Sequence, residues 1–399
     1  MPAPEPVRVA IVSAVRTPIG RYLGSLREVP ATALGAFAAR AAIERAHLAP
    51  ADIEDVLFGH GIQAGAGQNP ARQVGRGAGV PDSSGATTVN MVCGSGMKAV
   101  HIGLSEIRAG EANLVLVGGM ESMSRAPYLV TGEVRSGIKF GNRAFVDAMQ
   151  EDALRDAYSE HELMGMTGER VAERFHLTRE EIDRYAMRSN HRAAAATADG
   201  RFAREIVEIP SALAPRSKGL SVDECVRADT SLEGLARLAP AFLPGGVVTA
   251  GNASKLSDGA AALVLASASE VRRRSLDPLA WIRSTCVSGV DPANVMESPI
   301  PTVRKHLAAA GLEPGDFDRV EHNEAYASAS LAVQRAFGFP DDRFNAVGGA
   351  VALGHPIGAS GARILVTLVH ELARAQGHLG LATLCMGGGN GLSTIIERP

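Results

Sequence analysis

The sequence predicts an α/β protein built from two duplicated halves, each with strands alternating with helices. Three observations carry this. Leu48, Pro50, Asp52 and Val56 recur as Leu312, Pro314, Asp316 and Val320, an offset of 264 residues. Gly94-Ser95-Gly96-Met97-Lys98 recurs as Ala359-Ser360-Gly361-Ala362-Arg363 at an offset of 265, and Glu106 then falls on Glu371. Each of these helical stretches is followed by an apolar run ending in glycines, LVLVGG at 114–119 and LATLCMGGG at 381–389. Two separated blocks sharing one offset to within a residue point to one unit copied. Continuous apolar strand runs imply burial on both faces, and hence parallel strands covered by helices.

Taken in order, Val7 to Ser13 reads as a buried strand and Ala31 to His47 as an Ala-rich helix. Met97, Val100, Leu104 and Ile107 recur at helical spacing, with Gly94, Ser95 and Gly96 as the helix start. Met123 to Thr249 has no counterpart in the second half. Within it Thr178-Arg179-Glu180-Glu181 reads as a capping box opening a helix that contains Ile182 and Tyr185. Gly259 to Ala266 returns the chain to the first half as another buried strand. The expected division is residues 1–122 (completed by 250–275) for the first half and 276–399 for the second. Between them, 123–249 form an inserted lobe that supplies substrate contacts.

Composition narrows the function classes. The 399 residues are 46% hydrophobic and 21% charged, the balance of a globular chain with ample core. No apolar run reaches the roughly 18 residues of a membrane span. A formal net charge of −3 argues against a broad nucleic-acid surface. The basic run Arg272 to Arg274 reads as a solvated helix end. We therefore expect neither a nucleic-acid nor a membrane partner. Cys93, Cys225, Cys286 and Cys385 are widely spaced and form no CxxC pair. That argues against a zinc site or a disulfide framework and fits a reducing cytoplasm. The chain passes almost directly into VRVAIVS without a signal or transit pattern, and its terminal Glu-Arg-Pro is no peroxisomal address. The expected location is cytoplasmic.

The chemistry-bearing residues follow from the duplication. Cys93 begins one duplicated helix, where unpaired N–H groups and the helix dipole are expected to lower a thiol pKa from its usual ~8.5. The equivalent place in the second copy lies near Gly358, just after His355. If the halves are pseudo-symmetric, both helix starts face one cleft. Cys93 and His355 there have the logic of a nucleophile and its base. Read alone, Cys93 is more readily a buried inert thiol than a nucleophile, and His355 is a turn residue as readily as a base. Cys385 ends the last apolar run beside Gly387-Gly388-Gly389. It is either a core thiol or an acid/base thiol next to bare N–H groups that can hold an oxyanion. Asn323 is either a turn residue or an amide donor to a polarised carbonyl. No metal-ligand spacing is present.

VCGSGMKAV with Cys93, NEAYA with Asn323, GGAVALGHPIGASGAR with His355 and CMGGGNG with Cys385 together resemble the four signature blocks of the thiolases. They stand in the family's order, and the similarity runs over essentially the whole chain. The resemblance implies a five-layered αβαβα fold with an inserted loop domain. It also implies reversible Claisen condensation of two acetyl-CoA to acetoacetyl-CoA and CoA by a ping-pong route through an acyl-cysteine. CoA thioesters would be the substrates, with no covalently bound cofactor. By this resemblance Cys93 takes the acyl group, His355 activates it, and Cys385 exchanges the α-proton. Asn323 (through a water) and His355 make one oxyanion hole; the N–H groups of Cys93 and Gly387 make the other.

More loosely, Ser254, Ala250, Phe242 and Met164 match positions lining the family's CoA channel. Arg227 matches a residue near the nucleotide end, and Met296 one beside the acyl pocket. Tyr326, also placed at the substrate, stands where many members have Phe. Lys255 stands where many have Gly, and Leu163 where acetoacetyl-CoA-forming members have His. The segment 154–163 reads as one residue longer. Against this, SGIKFG at 136–141 resembles the tetramer-forming loop of the acetyl-CoA acetyltransferases, which implies a homotetramer, a dimer of dimers. Two alternatives stay open: a longer-chain 3-ketoacyl-CoA thiolase of β-oxidation, and a non-catalytic acyl-CoA-binding subunit on the same scaffold. Condensing enzymes of the decarboxylating kind lack the second thiol, so Cys385 separates them.

Overall fold

The computed structural model describes residues 7–130, 132–158 and 161–399. Residues 1–6, on which the expectation of no leader rests, lie outside the described residues, as do Ser159 and Glu160 of the lengthened segment. The first half contains strands β1 (Val9–Arg16), β2 (Asp55–His60), β3 (Gly85–Val89) and β4 (Leu114–Ser122). Its helices are α1 (Ala31–Arg45), α2 (Pro70–Gly77) and α3 (Ser95–Ala109). Two further helices, α4 (Gly165–Arg174) and α5 (Arg179–Ala198), precede β5 (Ser257–Ser267). The second half runs β6 (Ala280–Gly289), α6 (Pro299–Ala310), β7 (Arg319–His322), α7 (Ala327–Phe337), α8 (Ile357–Arg374), β8 (Leu379–Met386) and β9 (Asn390–Glu397).

The strands join in the order β7-β8-β9-β6-β1-β5-β4-β2-β3, with a short Gly20–Arg21 strand on β5. From the β1/β6 seam outward, β1, β5, β4 and β2 of the first half repeat as β6, β9, β8 and β7 of the second. The duplicated Leu-x-Pro-x-Asp stretch has a local reason. Asp52 Oδ2 accepts from the Ala49 N–H and Asp316 Oδ2 from the Glu313 N–H, both at 2.8 Å. Each aspartate closes the same 3₁₀ turn ahead of β2 or β7.

Alternation along the strands builds the layers. Leu114, Leu116 and Met120 of β4 face a core shared with Leu34 and Ala38 of α1 and Val74 of α2. Val115 and Val117 face the opposite way, into a core formed with Met97, Val100 and Leu104 of α3 and Leu365, Val366 and Val369 of α8. Ala382 and Leu384 of β8 face that same central core from the other side. Leu379 and Leu381 face outward onto Ile300 and Val303 of α6 and Ala332 and Val333 of α7. The result is five layers, with α3 and α8 between the two half-sheets.

Two expectations need correction. Only β2/β3, β2/β4 and β7/β8 are parallel; β1/β5, β4/β5, β1/β6, β6/β9 and β8/β9 are antiparallel. The reason is plainest at β8/β9, joined by only Gly387-Gly388-Gly389, because a parallel return needs a crossover of a dozen residues or more. Gly388 and Gly389 take φ of +83° and +80°, which the tight turn requires. The first strand also lies two residues later than expected, and α1 stops at Arg45 because His47 has a left-handed φ of +55°.

The remaining readings hold locally. The Thr178–Glu181 capping box is formed, with Thr178 Oγ1 accepting from the Glu181 N–H at 3.3 Å. Arg273 and Arg274 pair with Glu270, and Arg274 also with Asp52, as a solvated helix end does. The segment between β4 and β5 is rooted in the first half by Arg16, which is fully buried. Its Nε lies 2.6 Å from Glu205 and its Nη1 and Nη2 lie 2.7 and 2.8 Å from Asp223. Such a fork-on-carboxylate pairing is what makes a buried guanidinium tolerable.

What positions the site is the crossing of α3 and α8. A Cβ on Gly96 would lie 2.9 Å from Ala362 N, and one on Gly361 would lie 2.6 Å from Met97 N. These glycines are duplicate equivalents, each meeting the residue after the other. Side chains at either position would force the two helix starts apart.

Candidate active site

Cys93 sits in a 3₁₀ turn, Val92–Gly94, immediately ahead of α3. Ser95 Oγ accepts from the Met91 N–H at 2.9 Å and donates to Val92 O at 2.6 Å, while Asn90 Oδ1 accepts from the Val92 N–H at 3.0 Å. These bonds hold Val92 at a φ of +48°, a strained conformation for a β-branched residue. Strain here turns the next side chain out of the helix toward α8. Gly94 lets Met386 pack close: a Cβ there would be 2.3 Å from Met386 Sδ, and that side chain would have to move.

His355 stands just ahead of α8, with its N–H donating to Lys255 O at 2.9 Å. Its Nε2 lies 3.2 Å from Cys93 Sγ. Its Nδ1 lies 2.6 Å from Ser360 Oγ, and Ser360 donates its single proton to Pro356 O at 2.9 Å. Ser360 must therefore accept from Nδ1–H. The network assigns the proton to Nδ1 and leaves the Nε2 lone pair facing the thiol. Burial, followed by the nearby Arg363 charge, lowers the His355 pKa to about 3, so the ring is neutral at neutral pH.

Burial also raises the Cys93 pKa, reinforced by Cys385 and opposed by the N–H groups of Gly387 and of Cys93 itself. This overturns the expectation that the helix start would lower it. Losing water costs the thiolate more than two N–H groups and the helix end return. At rest the pair is a neutral thiol beside a neutral imidazole. The two N–H groups converge on the sulfur, so they are also placed for an oxygen on a carbon bonded to it.

Cys385 is buried at the end of β8, its Sγ 3.6 Å from Met296 Sδ, and burial pushes its pKa up to about 12. A chamber of about 440 Å³ brings the parts together: Cys93, His355, Cys385 and Gly387 line it. Met164, Ser254, Met296 and Tyr326 of the expected substrate contacts line the same chamber. Arg227 and Ala250 instead line a second, outer cavity of about 1020 Å³. Phe242 lines neither; its ring packs edge-on against Tyr326, with centroids 6.2 Å apart. Asn323 sits behind His355, its Nδ2 3.5 Å from Nε2, and its buried Oδ1 has no partner among the described residues.

Sequence reasoning missed Ser360, although it stands five residues after His355 in the same motif, one turn into α8. It also missed Ala153, Leu154, Ile357 and Met386 as chamber walls. These carry no chemical signature and are found only by where the chain folds. Among the described residues no cluster of His, Cys, Asp or Glu is arranged to hold a metal ion, and no helix is long and apolar enough to cross a membrane.

A thiol facing an oriented imidazole, with a second thiol and a convergent N–H pair in one small apolar chamber, is the set of parts that acyl transfer through a cysteine requires. The comparisons agree. Residues 9–269 match the thiolase N-terminal domain and 276–398 the thiolase C-terminal domain. The chain belongs to the thiolase family. It is 46% identical over 397 residues to the acetyl-CoA acetyltransferase of Chromobacterium violaceum, covering 98% of this chain and all of that one. It is 46% identical over 388 residues to the acetyl-CoA acetyltransferase of Escherichia coli, covering 97% and 98%. Among solved structures it resembles human mitochondrial 3-ketoacyl-CoA thiolase in complex with CoA, at a TM-score of 0.94, 40% identity and 98% coverage of both chains. It resembles the Bacillus anthracis acetyl-CoA acetyltransferase equally well, at a TM-score of 0.94, 39% identity and 99% coverage of both.

The tautomer assignment makes a prediction. Ser360→Ala removes the acceptor for Nδ1–H and frees the ring to turn or switch tautomer. Acylation of Cys93, followed by rapid quench and peptide mass, is expected to slow on the order of 10²-fold. An unchanged rate would show that Ser360 does not orient the base.

Proposed function

We propose that the chain is an acyl-CoA C-acyltransferase that reversibly condenses two acetyl-CoA into acetoacetyl-CoA and CoA. The observation that carries this is the 3.2 Å approach of Cys93 Sγ to His355 Nε2 with a second thiol, Cys385, in the same chamber. Cys93 Sγ attacks the thioester carbonyl as its proton passes to His355 Nε2. The departing CoA sulfur takes that proton, leaving an acetyl group on Cys93 and a neutral imidazole. The acetyl oxygen lies against the N–H groups of Cys93 and Gly387. The enolate oxygen of the second acetyl-CoA is held through a water by Asn323, and by His355 once its Nε2 carries a proton.

Cys385 is the proton exchanger. Its raised pKa keeps it protonated at rest, so in the thiolysis direction it gives that proton to the departing enolate. Toward condensation, Cys385 first passes its proton to His355 Nε2 in the acetyl-enzyme, and the resulting thiolate takes the α-proton. A thioester α-proton is too weakly acidic for this unless the oxygen is stabilised, and one such donor typically contributes ~10²–10³ in rate. The narrow chamber, walled by Met, Leu and Ala side chains, suits a short acyl group. Met164, Ser254, Met296 and Tyr326 then touch the acyl and pantetheine arm, with Arg227, Ala250 and Phe242 placed toward the nucleotide. We also assign residues 123–249 as the inserted lobe and place the chain in the cytoplasm, where its four free thiols stay reduced.

Cys385→Ala is expected to become acetylated at Cys93 by acetyl-CoA yet neither condense nor thiolyse appreciably, whereas Cys93→Ala should take no label. Near wild-type turnover in Cys385→Ala would make that residue a structural thiol and refute the mechanism.

The assembly we propose is a homotetramer, a dimer of dimers. Phe140 is 95% and Phe145 73% exposed on the loop carrying SGIKFG, a concentration of apolar surface that a second copy would cover. Light scattering should give four chains for the wild type and two after removal of residues 131–141. A wild-type monomer at micromolar concentration would contradict it.

A further inference from the structure

Lys255 lines the outer cavity, and the acyl chemistry leaves its amine unused. No carboxylate pairs with it among the described residues. Its Nζ donates to Ala250 O at 2.8 Å and to Ala253 O at 3.1 Å. An ammonium has three donors, so two carbonyls leave one N–H over. A neutral amine has only two, which the same carbonyls take up in full, and its lone pair is then free in the cavity. Deprotonation here costs no hydrogen bond and yields a held nucleophile. The residue also stands at the junction of the two cavities. Its neighbour Ser254 lines the inner chamber, and its own carbonyl holds the His355 N–H at 2.9 Å. A thioester on its way to Cys93 passes this amine.

We propose that Lys255 is a self-acylation site, whose ε-amine takes the acyl group of an acyl-CoA entering through the outer cavity. The inference rests on the proposed use of CoA thioesters. Nζ adds to the thioester carbonyl carbon, a C–N bond forms and the C–S bond breaks. The CoA sulfur leaves with the proton that the nitrogen sheds. The products are Nε-acyl-lysine and free CoA, and no further reactant is needed. The amine is available because the Lys255 pKa is lowered to about 8, by burial first and by Arg227 as well. The other ionisable groups facing it are Asp229 across the cavity and the buried Cys225 thiol. A Cys225 thiolate would favour the ammonium, but burial keeps that thiol protonated. An acyl amide beside Ser254 narrows the way to the inner chamber, so the modification slows the enzyme when acyl-CoA is in excess.

The test is to incubate the wild type and Lys255→Arg with acetyl-CoA and follow acetyl mass on every lysine peptide and on the Cys93 peptide. Near neutral pH, Lys255 should label about tenfold faster than Lys98, Lys139, Lys218 or Lys305. Its rate should level off above about pH 8, where the amine is already neutral, while the other lysines keep climbing toward pH ~10. Free CoA, by filling the cavity, should slow labelling at Lys255 alone. Wild-type turnover should fall in step with the Lys255 label. Lys255→Arg, which cannot form the amide, should hold its own starting turnover through the same incubation. Label on Lys255 no faster than on the other lysines, or an equal loss of turnover in Lys255→Arg, would overturn the inference. Absence of acetyl from Cys93 would contradict the acyl-cysteine reading itself, a result distinct from label on Cys93 with no excess on Lys255.

Discussion

Everything at the site depends on how closely α3 and α8 approach. The two helix starts meet through Gly96 and Gly361, where added Cβ atoms would lie 2.9 and 2.6 Å from the facing backbone nitrogens. The duplication makes the contact reciprocal, so one small residue per copy suffices for both. Gly119 and Gly358 extend it: a Cβ on Gly119 would lie 2.1 Å from Gly358 O. Because the copies carry different residues at their helix starts, the same symmetry that packs the core brings an unlike pair together. One copy contributes a thiol and the other an imidazole.

The electrostatics follow from where this meeting occurs. It lies between two half-sheets, inside the central layer, so water is largely excluded and charge is penalised. His355 is held neutral and both thiols are held protonated. A resting ion pair is thereby avoided. Preorganised donors in a dry site act without reorganising when charge develops. Glu121 completes the arrangement, accepting from the Gly61 and Gly358 N–H groups at 3.0 Å each and tying the end of β4 to the start of α8.

Much of this was legible in the sequence because duplication is an arithmetic signal. The shared offset identified α3 and α8 as equivalents, and from that the meeting of Cys93 with His355 followed. The five layers were implied by family resemblance and are explained by strand alternation. Strand direction was less legible, since an apolar run buried on both faces reads alike whether parallel or antiparallel. The sign of the Cys93 shift was misread for a physical reason: a helix start is visible in sequence, whereas desolvation depends on what packs over it. The split of the expected substrate contacts between two cavities was likewise invisible, because Met164 and Arg227 come to line separate cavities only through the fold. Ser360 was hidden in plain view, a small residue whose value lies in a single hydrogen bond to the base.

The central claim is that Cys93 and His355 form a neutral pair at rest. The most direct measurement is the pH dependence of iodoacetamide alkylation at Cys93, read on its peptide by mass. With the pKa raised above the usual thiol value, the thiolate fraction and the rate should climb about tenfold per pH unit and keep climbing past ~9 without a plateau. A rate that is already high and independent of pH between about 5 and 8 would reveal a preformed thiolate–imidazolium pair and contradict the account.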